Sequence, residues 1–365
     1  MATAIVVGGG IGGMAAALAL HGRGWSVEVL EQAPEITEVG AGISLWSNAL
    51  RALDAIGVGD RVRGQAIDGT SAGIRDTRGR WLSRADLAAL RERFGTPVIL
   101  HRAVLLDILR SALPAGALRT GISVREARTD GTVVHSAGTS TADLVVGADG
   151  LRSVVRRAVC GAVEPRYAGY TAWRAVVDLA DPPANFGETW GRGARFGIAP
   201  LKDGRLYCFA VYNAAEHAPG SLDEVRARFA GWPAPIPALL AAADPDTVLH
   251  NDIYELPALP TFTAGRIALL GDAAHAMTPN LGQGGCQALE DAVVLARYAA
   301  DPGGLARYDR ERRPRTRMIT RRSAQVGVLG QLSAAPLVAL RNTVLRLTPA
   351  SAQLRSMAPV LDWTC

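Results

Sequence analysis

The spacing of apolar residues divides the chain into two textures. Ala4-Ile5-Val6-Val7 reads as a short buried strand and Met14 to His21 as an alanine-rich helix. Ser26-Val27-Glu28-Val29-Leu30 reads as a second strand ending at Glu31. Ala103 to Leu113 has the periodicity of an amphipathic helix opened by His101-Arg102. Leu118 to His135 alternates and turns at Asp130-Gly131, a hairpin signal. Ala142 to Ser153 predicts a buried strand, a Gly-Ala-Asp-Gly turn and an arginine-bearing helix. Gly265 to Leu270 predicts one more buried strand, and Gln287 to Tyr298 a helix with Leu289, Ala292, Val293 and Ala296 on one face. Between these parts the pattern shortens. Runs at Tyr170 to Leu179, Arg195 to Ile198 and Arg205 to Tyr212, with turns such as Lys202-Asp203-Gly204, predict an antiparallel sheet. Strand–helix alternation resumes afterwards without a repeat or a low-complexity linker, so the β-rich part is expected to be inserted, not appended. The expected class is α/β: a doubly wound unit over residues 1–70, 98–165 and 262–325, a β-sheet unit over 71–97 and 166–261, and C-terminal helices over 326–365.

Composition narrows the classes. The chain has 365 residues, 48% hydrophobic and 20% charged, which suits an ordered protein of more than one unit and argues against disorder. The formal charge is +5 and the pI about 9.3; with one lysine, Lys202, the remaining 39 − 1 = 38 basic residues are arginine. Arg152, Arg156 and Arg157 cluster on one expected helix. The run from Arg307 to Arg322 alternates with acids and reads as a solvated helix face. No aromatic interleaving accompanies it, so a nucleic-acid partner is not expected, whereas an anionic small molecule is compatible. Cys160, Cys208, Cys286 and Cys365 show neither CxxC nor zinc-type spacing, and no metal is expected. The apolar start from Ala2 to Leu20 lacks a basic flank and contains five glycines, so neither a signal nor a membrane span is expected; a cytoplasmic monomer or homodimer is.

Two loops carry candidate chemistry. Gly8-x-Gly10-x-x-Gly13 sits between the first strand and helix, and Glu31 follows 18 residues after Gly13, ending the next strand. Gly8 suits the tight turn, Gly10 lets a pyrophosphate approach the backbone, and Gly13 lets the helix pack closely. Glu31 would accept a hydrogen bond from an unphosphorylated adenosine ribose, as in FAD or NAD. The second loop, Gly271-Asp272-Ala273-Ala274-His275-Ala276-Met277-Thr278-Pro279-Asn280-Leu281-Gly282-Gln283-Gly284-Gly285-Cys286, runs from a buried strand into a helix. Its glycines admit a flat ligand, and the free N–H groups of the helix start favour a ring that gains negative charge, such as a flavin. A further glycine-rich loop, Glu38 to Leu50, offers Ser47 or Asn48 as helix caps. His275 reads as a structural loop histidine.

These motifs, with the Asp149-Gly150 turn between them, resemble the single-component FAD-dependent aromatic hydroxylases of the p-hydroxybenzoate hydroxylase superfamily. Tyr167-Ala168-Gly169-Tyr170, Arg195-Phe196-Gly197-Ile198-Ala199-Pro200 and Gly282-Gln283-Gly284-Gly285-Cys286 are similar to urate-hydroxylase-like and salicylate-hydroxylase-like members. The resemblance implies a Rossmann-type FAD-binding domain with an inserted antiparallel β-sheet substrate domain and a C-terminal helical segment. It also implies cofactor contacts. Gly8, Gly10, Ile11, Gly12 and Gly13 would form the first loop; Glu31, Gln32 and Val124 would hold the adenosine half. Arg102 would reach the pyrophosphate, and Asp149 is linked with both FAD and the nicotinamide co-substrate. Asp272 would bind the ribityl side. Ser44, Pro279, Gly282, Gln283, Gly284 and Gly285 would surround the flavin. The implied reaction uses NADH or NADPH and dioxygen, through a flavin C4a-hydroperoxide, to hydroxylate a small aromatic or heteroaromatic substrate. Arg195 would fix an anionic substrate and Tyr207 would orient it.

Departures from the urate-type pattern fall on the substrate side: Ser47 replaces a proline, Arg174 an asparagine and Ala175 a glycine. A flavin-dependent halogenase is excluded by the lack of an N-terminal lysine and of its tryptophan motif. Same-fold epoxidases, N-hydroxylases, oxygen-independent reductases and a non-catalytic flavoprotein stay open. Neither a separate NAD(P)H domain nor a thioredoxin-like C-terminal domain is expected.

Overall fold

A computed structural model describes residues 1–36, 42–67, 71–183 and 187–365. The expected loop residues Glu38 to Ala41 lie outside the described residues. Strand Thr3–Val7, helix Ile11–His21 and strand Ser26–Leu30 open a six-stranded sheet. In spatial order its strands are Thr263–Ala264, Ile267–Leu269, Leu144–Gly147, Thr3–Val7, Ser26–Leu30 and Leu118–Arg119, parallel except for the first. Parallel strands are covered on both faces, which is why these segments are continuously apolar: Val6, Val29, Val145, Val146 and Leu269 are all fully buried. The alanines of helix Ile11–His21 let the helix Gly284–Tyr298 come close. A Cβ on Gly12 would stand 2.8 Å from Leu270 and 3.1 Å from Ala288.

The inserted sheet has seven strands in the order Leu249–Glu255, Arg166–Val177, Leu206–Asn213, Ala194–Pro200, Gly187–Trp190, Gly73–Asp76 and Trp81–Arg84. All neighbours are antiparallel except Gly187–Trp190 with Gly73–Asp76. The pleat sorts its side chains. Trp173, Ala175, Phe196, Leu206, Cys208 and Ala210 face helices Leu222–Phe229 and Ile236–Ala242 and form a second core. Tyr170, Ala172, Val211 and the half-buried Phe209 pack on the opposite face, away from those helices.

A two-stranded ribbon, Gly42–Leu45 with Val98–His101, and a three-stranded sheet built on the Asp130-Gly131 turn complete the strands. Helices start earlier than their apolar runs predict: Ile11 instead of Met14, Arg102 instead of Ala103, and Gly284 instead of Gln287. Glycine and polar residues can form a first turn although they carry no periodic signal. Helix Gly304–Gly330 runs unbroken through Pro314 and past residue 326, followed by Ala335–Leu347 and Ala350–Leu361. Neither Ser47 nor Asn48 caps its helix. Ser47 Oγ donates to the Leu361 carbonyl at 3.2 Å, and Asn48 turns into the core.

Candidate active site

The first glycine loop is shaped by close contacts. Gly8 has φ +105°, and a Cβ there would sit 2.4 Å from the Ala148 carbonyl. A Cβ on Gly13 would be 1.9 Å from the Gly8 carbonyl, whereas Gly10 has no protein atom within 4 Å of that position. Ile11 is buried at the head of the helix. Glu31 accepts from Gly9 N–H at 2.6 Å and Ala33 N–H at 2.8 Å, so its carboxylate braces the loop. Exposed Gln32 lies beside it, and the chain leading to Val124 is tied to Glu31 through Ile122 N–H at 2.9 Å. Arg102 is exposed at the start of helix Arg102–Ala112. Asp149 spends its carboxylate locally: Ser153 Oγ donates to it at 2.5 Å, Val154 N–H at 2.7 Å and Val155 N–H at 3.1 Å.

The second loop crosses between the two sheets. Gly271, at φ +59°, precedes the short helix Asp272–His275. Asp272 is exposed, and its carboxylate has no partner among the described residues. Pro279, also exposed, opens a single turn to Leu281, and Gly282 follows at φ +61°. Strand Gly42–Leu45 lies against this turn. Ser44 Cβ would be 3.7 Å from a Cβ on Gly282, and Ile43 Cδ1 would be 2.7 Å from one on Gly285. The same strand meets the substrate sheet: a Cβ on Gly42 would be 2.5 Å from the Tyr207 ring. Gly284 is open on its Cβ side. The first N–H groups of the helix it starts have no acceptor within that helix.

Arg195 and Tyr207 are carried on the face of the inserted sheet that turns toward this loop. Arg195 is 2% exposed. Its Nη2 donates to Asn280 Oδ1 at 2.6 Å and its Nε to Gln331 Oε1 at 3.1 Å, and Nη1 stands 3.5 Å from Glu188 Oε2. Asn280 Nδ2 in turn donates to the Tyr170 hydroxyl at 3.0 Å. Burial raises the Tyr170 phenol, with Asn280 and Arg195 opposing it. Helix Gly304–Gly330 allows this cluster through two glycines: a Cβ on Gly327 would be 2.5 Å from Asn280 Nδ2, and one on Gly330 would be 2.8 Å from Arg195 Cδ. Tyr207 is flanked by Val176 and Ala199 in register and by Phe209, 5.9 Å between ring centres. Burial raises the Tyr207 phenol and the neighbouring Arg174 pulls against it. The phenol is therefore neutral at pH 7. Arg174 also donates to Asn251 Oδ1 at 3.1 Å.

Beneath the loop lies an ionic network that is buried except for the partly exposed Arg315. Asp291 Oδ2 accepts from Gly271 N–H at 2.9 Å and contacts His275 Nε2 at 2.6 Å, while Oδ1 accepts from Arg312 Nε at 2.6 Å. Glu290 accepts from Arg312 Nη1 at 2.5 Å, Arg315 Nε at 2.6 Å and Asn48 Nδ2 at 2.6 Å. Gln283, whose side-chain oxygen also accepts from Asn48 at 3.0 Å, joins this network to the Gly282 turn. Burial pushes the Asp291 carboxyl up, but His275 and Arg312 outweigh it and bring it down to about 2. Burial opposes the Arg312 charge and the two carboxylates restore it, leaving the guanidinium above its ordinary range.

This corrects the reading of Arg307 to Arg322 as a solvated face, because Arg312 is 0% exposed. His275, read from the sequence as a structural loop histidine, contacts Asp291 through Nε2, while its buried Nδ1 has no partner among the described residues. Glu290, Asp291, Arg312, Arg315 and Asn48 were not singled out from the sequence. The available signal was two adjacent carboxylates inside the apolar run Ala288 to Ala296, a place that demands buried cations.

The residues present fit a flavin dinucleotide. Gly10 and Gly284 leave their Cβ directions open, Asp272 is unpaired, and the buried donors Trp46 Nε1 and Gln283 Nε2 at the Gly282 turn have no acceptor among the described residues. Comparison with known proteins agrees. The family described as FAD binding domain matches residues 1–323. Aurachin C monooxygenase/isomerase of Stigmatella aurantiaca is 39% identical over 361 residues, covering 94% of each chain. The 2-heptyl-3-hydroxy-4(1H)-quinolone synthase of Pseudomonas aeruginosa is 36% identical, covering 97% of this chain and 96% of its own. The crystal structure of Klebsiella pneumoniae HpxO complexed with FAD and uric acid superposes with TM-score 0.91 at 31% identity, covering 99% of this chain and 96% of that one. The chain thus belongs to the FAD binding domain family, among the FAD-dependent aromatic hydroxylases, and is a flavoprotein monooxygenase.

Proposed function

We propose that the enzyme hydroxylates a fused heteroaromatic ring carrying an apolar substituent, with quinolone-like rings as the first class to test. The carrying observation is the sheet face around Tyr207. Val176, Ala199, Phe209 and Val211 make it apolar, and Arg174 supplies a cation where urate-type chains have asparagine. Two of the similar proteins are named for quinolone-type or aurachin chemistry, which supports the same ring class. The overall reaction is substrate–H + O2 + NAD(P)H + H+ giving substrate–OH + H2O + NAD(P)+. Bound FAD supplies the transfer of electrons to dioxygen and of one oxygen atom to the ring.

The chain's own residues bind, orient and exclude water. Gly8, Gly10, Ile11, Gly12 and Gly13 cradle the pyrophosphate with Arg102. Glu31, Gln32 and Val124 border the adenosine. Asp149 holds the turn beside the cofactor by capping Val154 and Val155, and Asp272 takes a ribityl hydroxyl. Ser44, Pro279, Gly282, Gln283, Gly284 and Gly285 border the flavin ring. The helix starting at Gly284 turns its free N–H groups toward negative charge there, an electrostatic stabilisation that needs no reorganisation. Tyr207, as a neutral phenol, can donate to a ring oxygen or accept from a ring N–H. Arg195 acts on the site by holding Asn280 and hence the Pro279 turn, and its buried charge favours an anionic ring in front of it.

The test is oxygen uptake and NADH or NADPH oxidation by the FAD-loaded protein, against 4-quinolones with and without alkyl chains, urate and phenolic acids. Hydroxylated product from alkylated quinolones with little peroxide supports the reading. Preference for urate or salicylate overturns the substrate class. A saturated product formed without oxygen use overturns the monooxygenase assignment in favour of a reductase, and an epoxide or N-oxide changes the acceptor only.

A further inference from the structure

Apart from Met1, every strongly exposed large apolar side chain among the described residues lies between Val328 and Leu347. Val328 and Leu329 end the long helix at 67% and 49% exposure. Leu337, Leu340, Val344 and Leu347 follow at 49%, 61%, 54% and 76%. The last four repeat at i, i+3, i+7 and i+10, which puts them on one side of helix Ala335–Leu347. Its other side is anchored: Val338 is buried, and buried Arg341 donates to the Gly191 carbonyl at 3.0 Å. The apolar stripe is therefore the outer face of a docked helix, where a soluble protein normally places polar residues.

The charge along this stretch of sequence is of one sign. From Arg312 to Leu361 the chain has nine arginines and no Asp or Glu. Arg312 and Arg315 are spent on Glu290 and Asp291. Arg317 and Arg321 are exposed, two or three turns before Val328 on the same side of their helix. Arg192 donates to the Ser333 carbonyl at 3.0 Å, and Arg346, on the apolar helix itself, is paired with Asp76 at 2.9 Å, so the exposed Arg317 and Arg321 are the cations open to headgroups. Helices Gly304–Gly330 and Ala335–Leu347 bend apart by 118°, and no single helix among the described residues is long and apolar enough to cross a membrane.

We propose that this face docks on an anionic lipid surface, with Leu337, Leu340, Val344 and Leu347 entering the interface and the surrounding arginines meeting headgroups. An apolar stripe with exposed arginines nearby is what an interfacial helix requires. A second copy of the chain is the poorer occupant, because a two-fold contact would bring the two acid-free arginine segments against each other. The surface adjoins the active site: Gly330 and Gln331, next to Leu329, touch Arg195. Docking itself does not depend on which ring is hydroxylated.

The experiment is co-sedimentation of the FAD-loaded protein with vesicles of phosphatidylcholine alone or mixed with phosphatidylglycerol, in low and high salt. The expected result is pelleting with the mixed vesicles, reduced by salt and by at least about tenfold in Leu340→Asp/Val344→Asp, the scale set by two apolar side chains leaving an interface. Flavin absorbance and substrate-free NAD(P)H oxidation should be unchanged in the variant, showing that it folds. Absence of pelleting, or equal pelleting of both forms, overturns the proposal. Equal binding to phosphatidylcholine alone overturns the anionic choice. A dimer in light scattering that the same substitutions dissolve, without vesicle binding, assigns the face to a second copy instead.

Discussion

Arg195 Nη2 stands 2.6 Å from Asn280 Oδ1, and this buried, charge-assisted hydrogen bond ties the inserted sheet to the turn that follows the Asp272 loop. The sheet and the cofactor loop thereby share one side chain. Replacement by glutamine removes the charge and takes the guanidinium donor from Asn280, while Glu188 keeps Trp190 Nε1 at 2.7 Å. Arg195→Gln should keep bound FAD and lower substrate-stimulated kcat about 100-fold, the usual scale for removing one electrostatic contact from an active site. Arg195→Lys should recover only part of it, since a single ammonium cannot span Asn280, Gln331 and Glu188. Unchanged kcat in Arg195→Gln would remove the residue from the reaction.

Glycines of the first loop separate folding from cofactor binding. Gly13→Ala places a methyl 1.9 Å from the Gly8 carbonyl and should destabilise the apoprotein by about 3 kcal/mol or more. Gly10→Ala meets no protein atom within 4 Å and should leave the apoprotein melting temperature unchanged while weakening FAD binding. Thermal melts of the two apoproteins, followed by FAD titration, check this. Equal melting losses would mean that Gly10 has no special relation to the cofactor.

Arg312 compensates two buried carboxylates on the neighbouring helix. Arg312→Met takes the arginine from Asp291 and leaves Glu290 with Arg315 as its remaining cation, and should cost about 3 kcal/mol, read from the urea midpoint. The loss should spread to FAD affinity, because Asp291 also fixes the N–H of Gly271 just before Asp272.

Acid should act through the same network. The Asp291 carboxyl is held at about 2 in the fold against 3.8 for the free group, so the folded state binds fewer protons. Its stabilisation, about 2 kcal/mol, is fully present above pH ~4 and is lost as pH falls toward ~2. Urea midpoints across that range should fall steeply in the native protein and less steeply in Asp291→Asn. Parallel slopes would exclude Asp291 as a source of the acid transition.

Thiol chemistry offers a check of burial. Burial pushes the thiols of Cys208 and Cys286 up to about 12, so both should resist alkylation at pH 8 until urea unfolds the chain. Exposed Cys365 should be modified in the native protein. Mass spectrometry after brief iodoacetamide treatment distinguishes these outcomes.

Much of the architecture was legible along the chain because its causes are local. The apolar run Thr3–Val7, the glycines behind it and Glu31 after the next strand interact within one strand–helix–strand unit, so their types and spacing suffice to read a dinucleotide loop. The alternating runs of the inserted sheet were legible for the same reason: a period of two needs only neighbours. Alternation could not say which of the two faces meets the cofactor loop. Arg195 and Tyr207 point there because helices Leu222–Phe229 and Ile236–Ala242 cover the opposite face, and that is a packing choice among distant segments. Arg312 is the sharper case. Its neighbours in sequence are arginines and acids that look solvated, yet its partners Glu290 and Asp291 lie 22 and 21 residues earlier on another helix. Charge that is neutralised across an interface leaves no mark in either helix alone. The outward apolar stripe from Leu337 to Leu347 has the same character: its period announces a buried face, and only the packing of Val338 and Arg341 shows that the opposite side is the one buried.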